Sequence, residues 1–185
     1  MAKYLQLLAL ITNYDPAMKL RLLAVATSAI LLSACAGMQT VNIATPFDIK
    51  EASIINQAGK NTITGSALLK RNDGQTVTCA GEDVALLPYT TYTNSRMLAL
   101  YGGTNKGINR FNRPTFVPDS PEYHSYQKRT QCNAQGFFTF KNVADGDYFV
   151  ITAVRWTVSN STQGGALMRR VAVKGGETAE IVLAP

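Results

Sequence analysis

The stretch Asn133-Ala134-Gln135-Gly136-Phe137-Phe138-Thr139-Phe140-Lys141-Asn142-Val143-Ala144-Asp145-Gly146-Asp147-Tyr148-Phe149-Val150 decides the fold class. Asn133 to Gly136 has turn chemistry, and Gly supplies the left-handed backbone that tight turns need. Phe138 and Phe140 then fall on one face of a strand, with Phe137 and Thr139 on the other, because successive side chains alternate across a pleated backbone. A second turn at Asp145-Gly146-Asp147 leads into Tyr148 to Val158. There Tyr148, Val150, Thr152, Val154 and Trp156 share a face, which predicts a long half-buried strand with Trp156 in the core.

Working outward, Leu167 to Val173, the turn Lys174-Gly175-Gly176, and Thr178 to Leu183 read as two closing strands. Upstream, Thr62 to Leu69 is a β-branched and apolar run ending at Asn72-Asp73-Gly74, a hairpin signal. Asp83 to Tyr89 is a further strand, with Pro88 near its end. Seven or so short strands without a convincing amphipathic helix predict an all-β, antiparallel sandwich.

The Gly136 to Val150 stretch resembles the signature of carboxypeptidase regulatory-like domains: Gly, alternating Phe, a Val or Leu, then Gly and Tyr before a long strand. Ile63-Thr64-Gly65 and Val84-Ala85-Leu86-Leu87-Pro88 resemble that family's opening strands. The resemblance covers residues 59 to 185 and implies a seven-stranded transthyretin-like β-sandwich that is non-catalytic. Two departures stand out. Asn133 takes a position where the family often has Asp, and about 30 residues are inserted between the second and third strands.

The N-terminal part reads as an export leader. Met18-Lys19-Leu20-Arg21 precedes an apolar run from Leu22 to Leu32 and the small residues Ser33 and Ala34, the layout of a signal peptide over residues 1–34 with Met18 as its expected start. The run is shorter than the roughly 20 residues that span a bilayer. Leu32-Ser33-Ala34-Cys35 resembles the lipobox of bacterial lipoproteins, which implies cleavage before Cys35 and its acylation with palmitate-type chains. Two or more chains anchor stably where one does not. Ala36, where an Asp would favour inner-membrane retention, implies the outer membrane, with the domain facing the periplasm on a lipidated tether over residues 35–58.

Cysteine usage agrees with export. With Cys35 lipidated, Cys79 and Cys132 remain as a pair suited to a disulfide, the alternative being two buried thiols. A metal site is not expected, since two cysteines and the lone His124 do not complete a tetrahedral shell. Asp145 and Asp147 flank a turn glycine and read as a turn, not as a calcium site. Gly102-Gly103 and Gly164-Gly165 lack phosphate-loop spacing. No cofactor and no enzyme activity is expected, because nucleophilic triads need a well-placed histidine and His124 lies in a loop segment.

Charge points to the inserted segment. The formal charge is +6, and removal of residues 1–34 leaves 15 basic and 11 acidic residues without any Lys/Arg-rich run, which disfavours nucleic acid as a partner. Within residues 94–130, six basic residues face Asp119 and Glu122, and five aromatics accompany them. Long insertions of this kind are functional or disordered, and Arg and aromatic side chains supply interface anchors. The candidate partner-binding residues are therefore Arg96, Tyr101, Arg110, Phe111, Arg113, Tyr123 and Tyr126, with an envelope protein assembly or the cell wall as the partner. A carbohydrate-binding module is the alternative function, and a hydrolase is disfavoured.

Overall fold

The computed structural model describes residues 39–110 and 112–185. The segment expected to be a leader, the lipobox-like stretch with Cys35, and Phe111 lie outside the described residues. Eleven strands are present among those described: β1 (Thr40–Asn42), β2 (Asn61–Lys70), β3 (Thr76–Thr78), β4 (Asp83–Pro88), β5 (Lys106–Asn109), β6 (Thr115–Val117), β7 (Lys128–Gln131), β8 (Phe137–Val143), β9 (Gly146–Val158), β10 (Ser161–Val173) and β11 (Thr178–Leu183). Two short helices, α1 (Ile49–Ala52) and α2 (Thr91–Tyr101), and 3-10 turns at Ser53–Asn56 and Pro121–His124 complete the elements. Among the described residues no helix is long and apolar enough to cross a membrane.

The larger sheet runs β5-β10-β9-β4-β7 and is antiparallel throughout. In the smaller sheet, β2 pairs antiparallel with β3 and β8 and parallel with β11, while β1 and β6 form a separate parallel pair. The count of seven strands and the wholly antiparallel pattern expected from sequence are thus corrected. The extra strands β5 to β7 come from the insertion, and the parallel pairings join segments that no short turn connects. Both sheets are open.

Alternation explains the core. Along β8, Phe138 and Phe140 are buried while Phe137 is 52% exposed. Along β9, Tyr148, Val150, Thr152 and Val154 are buried, and Tyr148, Val150 and Val154 share one core with Ile63, Ala67 and Leu69 of β2 and Ile181 and Leu183 of β11. The β9–β10 hairpin holds 13 residues on each side and closes on Ser159 and Asn160, both with positive φ of 45° and 64°. Such a two-residue turn matches the right-handed strand twist. Cys79, just after β3, and Cys132, just after β7, form a disulfide with a Cα–Cα distance of 5.8 Å, joining the smaller sheet to the larger.

Two sequence expectations are revised. The weakly patterned stretch read as a tether is packed over its described part. Asp48 caps α1 by accepting from the Lys50 N–H at 2.8 Å, and Ala52 and Ile55 are buried. The insertion also begins with a true helix. Thr90 caps α2 by accepting from the Thr93 N–H at 3.0 Å, and Gly102 ends it at φ +69°. Its buried side chains are Tyr92, Thr93, Arg96 and Met97, a mixture of polar and apolar groups that gives no clean apolar stripe to read.

Candidate functional site

The residues singled out in the insertion do not form one surface. Arg96 is 6% exposed, and its guanidinium lies 3.9 Å from the Phe116 ring centre and 4.4 Å from that of Tyr123. Its Nη1 donates to Asp119 Oδ1 at 2.5 Å and to the Tyr92 hydroxyl at 3.0 Å. Tyr92 in turn donates to Pro118 O and accepts from the Ser120 N–H. Burial works against the Arg96 charge, but these bonds more than offset it and raise its pKa. The arrangement is a pin that fastens the Pro118–Ser120 turn to α2. Tyr123 is buried beside it, and burial pushes its hydroxyl, like that of Tyr101, above the ordinary phenol range, so both stay neutral.

Tyr126 is half-buried, 5.7 Å from the Phe47 ring, and Tyr101 packs beside Met97, Phe149 and Met168. Arg96, Tyr101, Tyr123 and Tyr126 are therefore packing residues, a correction of their reading as partner anchors. An Arg among aromatics gives the same composition inside a secondary core as on a binding face. Arg110 and Arg113 are exposed, and they go to different places. Arg113 lies beside Glu82, Asp83 and Arg155 in a shallow polar groove. His124 is exposed on its 3-10 turn. Among the described residues no three His, Cys, Asp or Glu side chains cluster as metal ligands would.

Arg110 reaches a cleft of about 420 Å³ at one end of the sandwich, where it meets Lys70, Arg71, Asn72, Asp73, Trp156, Val158, Gln163 and Gly164. Three local structures build it. First, the β2–β3 hairpin folds on the Asn72-Asp73-Gly74 turn, with Gly74 at φ +87° and Asp73 Oδ1 accepting from the Gln75 N–H at 3.1 Å. Arg71 is paired to Asp73 at 2.8 Å, which holds both side chains at the rim.

Second, the far end of the β9–β10 hairpin supplies Trp156 and Gln163, which are direct cross-strand partners. Trp156 and Val158 continue the buried face of β9 past Val154 to where the smaller sheet no longer covers it. Trp156 is partly buried against the core, and Val158 is 45% exposed. Gly164 lines the cleft, and glycine is required there because a Cβ would stand 2.0 Å from Val154 O and its φ of +113° is one that side chains avoid.

Third, the loop after β5 is closed by Asn109. Its Nδ2 donates to Asn112 O at 2.9 Å, and its Oδ1 accepts from the Asn112 N–H at 2.7 Å. This places Arg110 at the corner of the loop.

The chemistry of the cleft is that of a polar ligand with one apolar face. Trp156 lines the cleft with a partly buried indole, an apolar group, and Asn72, Asp73, Gln163 and the guanidinium groups offer planar donors and acceptors of the kind that take paired hydroxyls. Sequence reading placed Trp156 in the core and passed over Lys70 to Asp73 and Gln163. The available signal was position: Trp156 follows the last core residue of its strand and stands three residues before the turn.

Among solved structures, the chain is similar to a protein from Pseudomonas aeruginosa provisionally described as carbohydrate-binding. The TM-score is 0.60 at 22% sequence identity, over 75% of this chain and 97% of that one. At that identity the likeness speaks to the fold: a β-rich domain of two facing sheets. No protein-family profile and no curated protein sequence matches the chain.

Proposed function

We propose that this chain is a non-catalytic carbohydrate-binding lipoprotein of the bacterial envelope, with the Trp156 cleft as its saccharide site. The observation that carries the reading is the juxtaposition of Trp156 with Gln163, Asn72 and Asp73 in one concave site. A sugar ring stacks its C–H face on an indole and offers its hydroxyls to planar polar groups, and concave sites of a few hundred Å³ are the usual size for small ligands. The likeness to the Pseudomonas aeruginosa protein supports it, as does the carboxypeptidase regulatory-like, transthyretin-like signature, since such sandwiches act as non-catalytic modules. The resemblance of Leu32 to Cys35 to a lipobox supports anchoring through acylated Cys35, and Ala36 in place of Asp supports the outer membrane.

A glycan array followed by calorimetry on hits tests the saccharide reading. Gln163→Ala and Trp156→Ala are expected to lower affinity at least about tenfold, the equivalent of about 1.4 kcal/mol. An array without hits, or variants that bind like the parent while keeping their circular dichroism, would refute it. Anchoring is tested separately: Cys35→Ser should abolish incorporation of labelled palmitate.

A further inference from the structure

The cationic groups at the cleft continue along the sheet edge. Lys70, Arg71 and Arg110 face a single carboxylate, Asp73, which Arg71 already engages. Arg110 follows the last residue of β5, and the strand from Lys106 to Asn109 alone spans about 10 Å at the usual rise. Lys106 is the direct cross-strand partner of Arg169, and both are exposed. Like charges placed opposite one another destabilise a strand pair. No side-chain carboxylate offsets them: Lys106 Nζ donates to an oxygen of Pro185, the last residue of the sequence, at 3.1 Å, and Arg169 Nη1 to the backbone carbonyl of Val182 at 3.5 Å. Among the described residues Lys70, Lys106, Arg110 and Arg169 form no ion pair with a side-chain carboxylate. Arg170 next to them is different, since it stacks on Tyr89 and pairs with Asp147.

We propose that the saccharide is an acidic polysaccharide. One ring stacks on Trp156 in the cleft, and carboxylates or sulfates on neighbouring units meet Arg110 and then the Lys106–Arg169 pair along the β5–β10 edge. This rests on the saccharide reading and adds charge and length to it. An anion bridging Lys106 and Arg169 converts a repulsive cross-strand pair into two charge-assisted contacts. The spacing to Arg110 requires a polymer and not a single sugar.

The test measures binding of the full chain to hexamers of galacturonate, mannuronate and hyaluronan, each beside its carboxyl-reduced neutral form, with a sulfated hexamer and hexaglutamate as further arms. At least one acidic hexamer is expected to bind about tenfold tighter than its neutral form, with a preference that shrinks as salt rises. Binding of uronates alone, or of the sulfated hexamer alone, identifies the anion. The surface variants K106Q/R169Q and Arg110→Gln should cut that preference several-fold, and K106Q/R169Q should leave an acidic disaccharide, too short to reach it, unaffected. Neutral and acidic hexamers binding equally would overturn the inference and leave the saccharide reading standing. No binding by either would overturn both. Hexaglutamate binding as tightly as the best saccharide would show that charge alone is read, which also overturns it.

Discussion

Asn61, fully buried at the start of β2, donates from Nδ2 to Asp145 Oδ1 at 2.8 Å and to Val143 O at 2.9 Å, while its Oδ1 accepts from the Gly176 and Glu177 N–H groups at 2.8 and 3.0 Å. One side chain thereby ties the β8–β9 turn to the β10–β11 turn with its hydrogen-bonding capacity filled. Removing it strands the buried Val143 carbonyl and takes the partner from the half-buried Gly176 and Glu177 bonds, and a buried loss of this kind costs about 1–3 kcal/mol. Asn61→Ala is expected to lower stability by about 3 kcal/mol in denaturant titration. A loss below about 0.5 kcal/mol, the range of ordinary surface changes, would show that water replaces it without cost.

The same contact sets a pH dependence. The Asn61 amide, and after it the Gly175 N–H, hold the exposed Asp145 carboxyl below its ordinary value. A folded-state pKa lowered in this way contributes stability that is present above the unfolded value, about 4, and is lost as pH falls through the folded value. Melting temperature should therefore drop on acidification below about pH 4, and part of that drop should be missing in Asp145→Asn. Identical acid profiles for parent and variant would exclude the contribution.

The disulfide closes a separation of 53 residues between the two sheets. Chain-entropy arguments put its contribution at about 4 kcal/mol. For a domain of this size, reduction or the double change C79A/C132A should lower the melting temperature by about 10 °C. Thiol titration of the unfolded, unreduced protein should find neither cysteine free. Two reactive thiols at these positions would contradict the bond.

What the sequence disclosed divides along physical lines. Phe138, Phe140 and the Tyr148 to Val154 face were legible because period-two alternation survives wherever one side of a strand meets the core. The Asn133 turn was legible because its side-chain oxygen accepts from the Gln135 and Phe137 N–H groups, as an Asp would. The α2 helix was not, because Arg96 and Thr93 point inward with Tyr92 and Met97. Its capping residues Thr90 and Gly102 were the better signal. The cleft was illegible for another reason. It joins residues near 70, 110 and 160, and only the meeting of three loops at one end of the sandwich makes them a site.

The contrast between Arg96 and Arg110 separates packing from binding within one insertion. Both were candidates on the same grounds, yet Arg96 is enclosed by Phe116, Tyr123 and Asp119, and Arg110 stands in solvent at the cleft. Arg96→Ala leaves a void under two aromatic rings and removes the partner of Asp119, and is expected to cost about 3 kcal/mol. Arg96→Met keeps the length and the apolar stem, and because Asp119 is half-exposed and can rehydrate, its cost should be nearer 1 kcal/mol. Arg110→Ala should stay within about 0.5 kcal/mol of the parent. Hydrogen exchange gives a second readout: amides of α2 and the Pro118–Ser120 turn should lose protection in Arg96→Ala alone. If Arg96→Ala melts with the parent while Arg110→Ala does not, the roles assigned to the two residues are reversed.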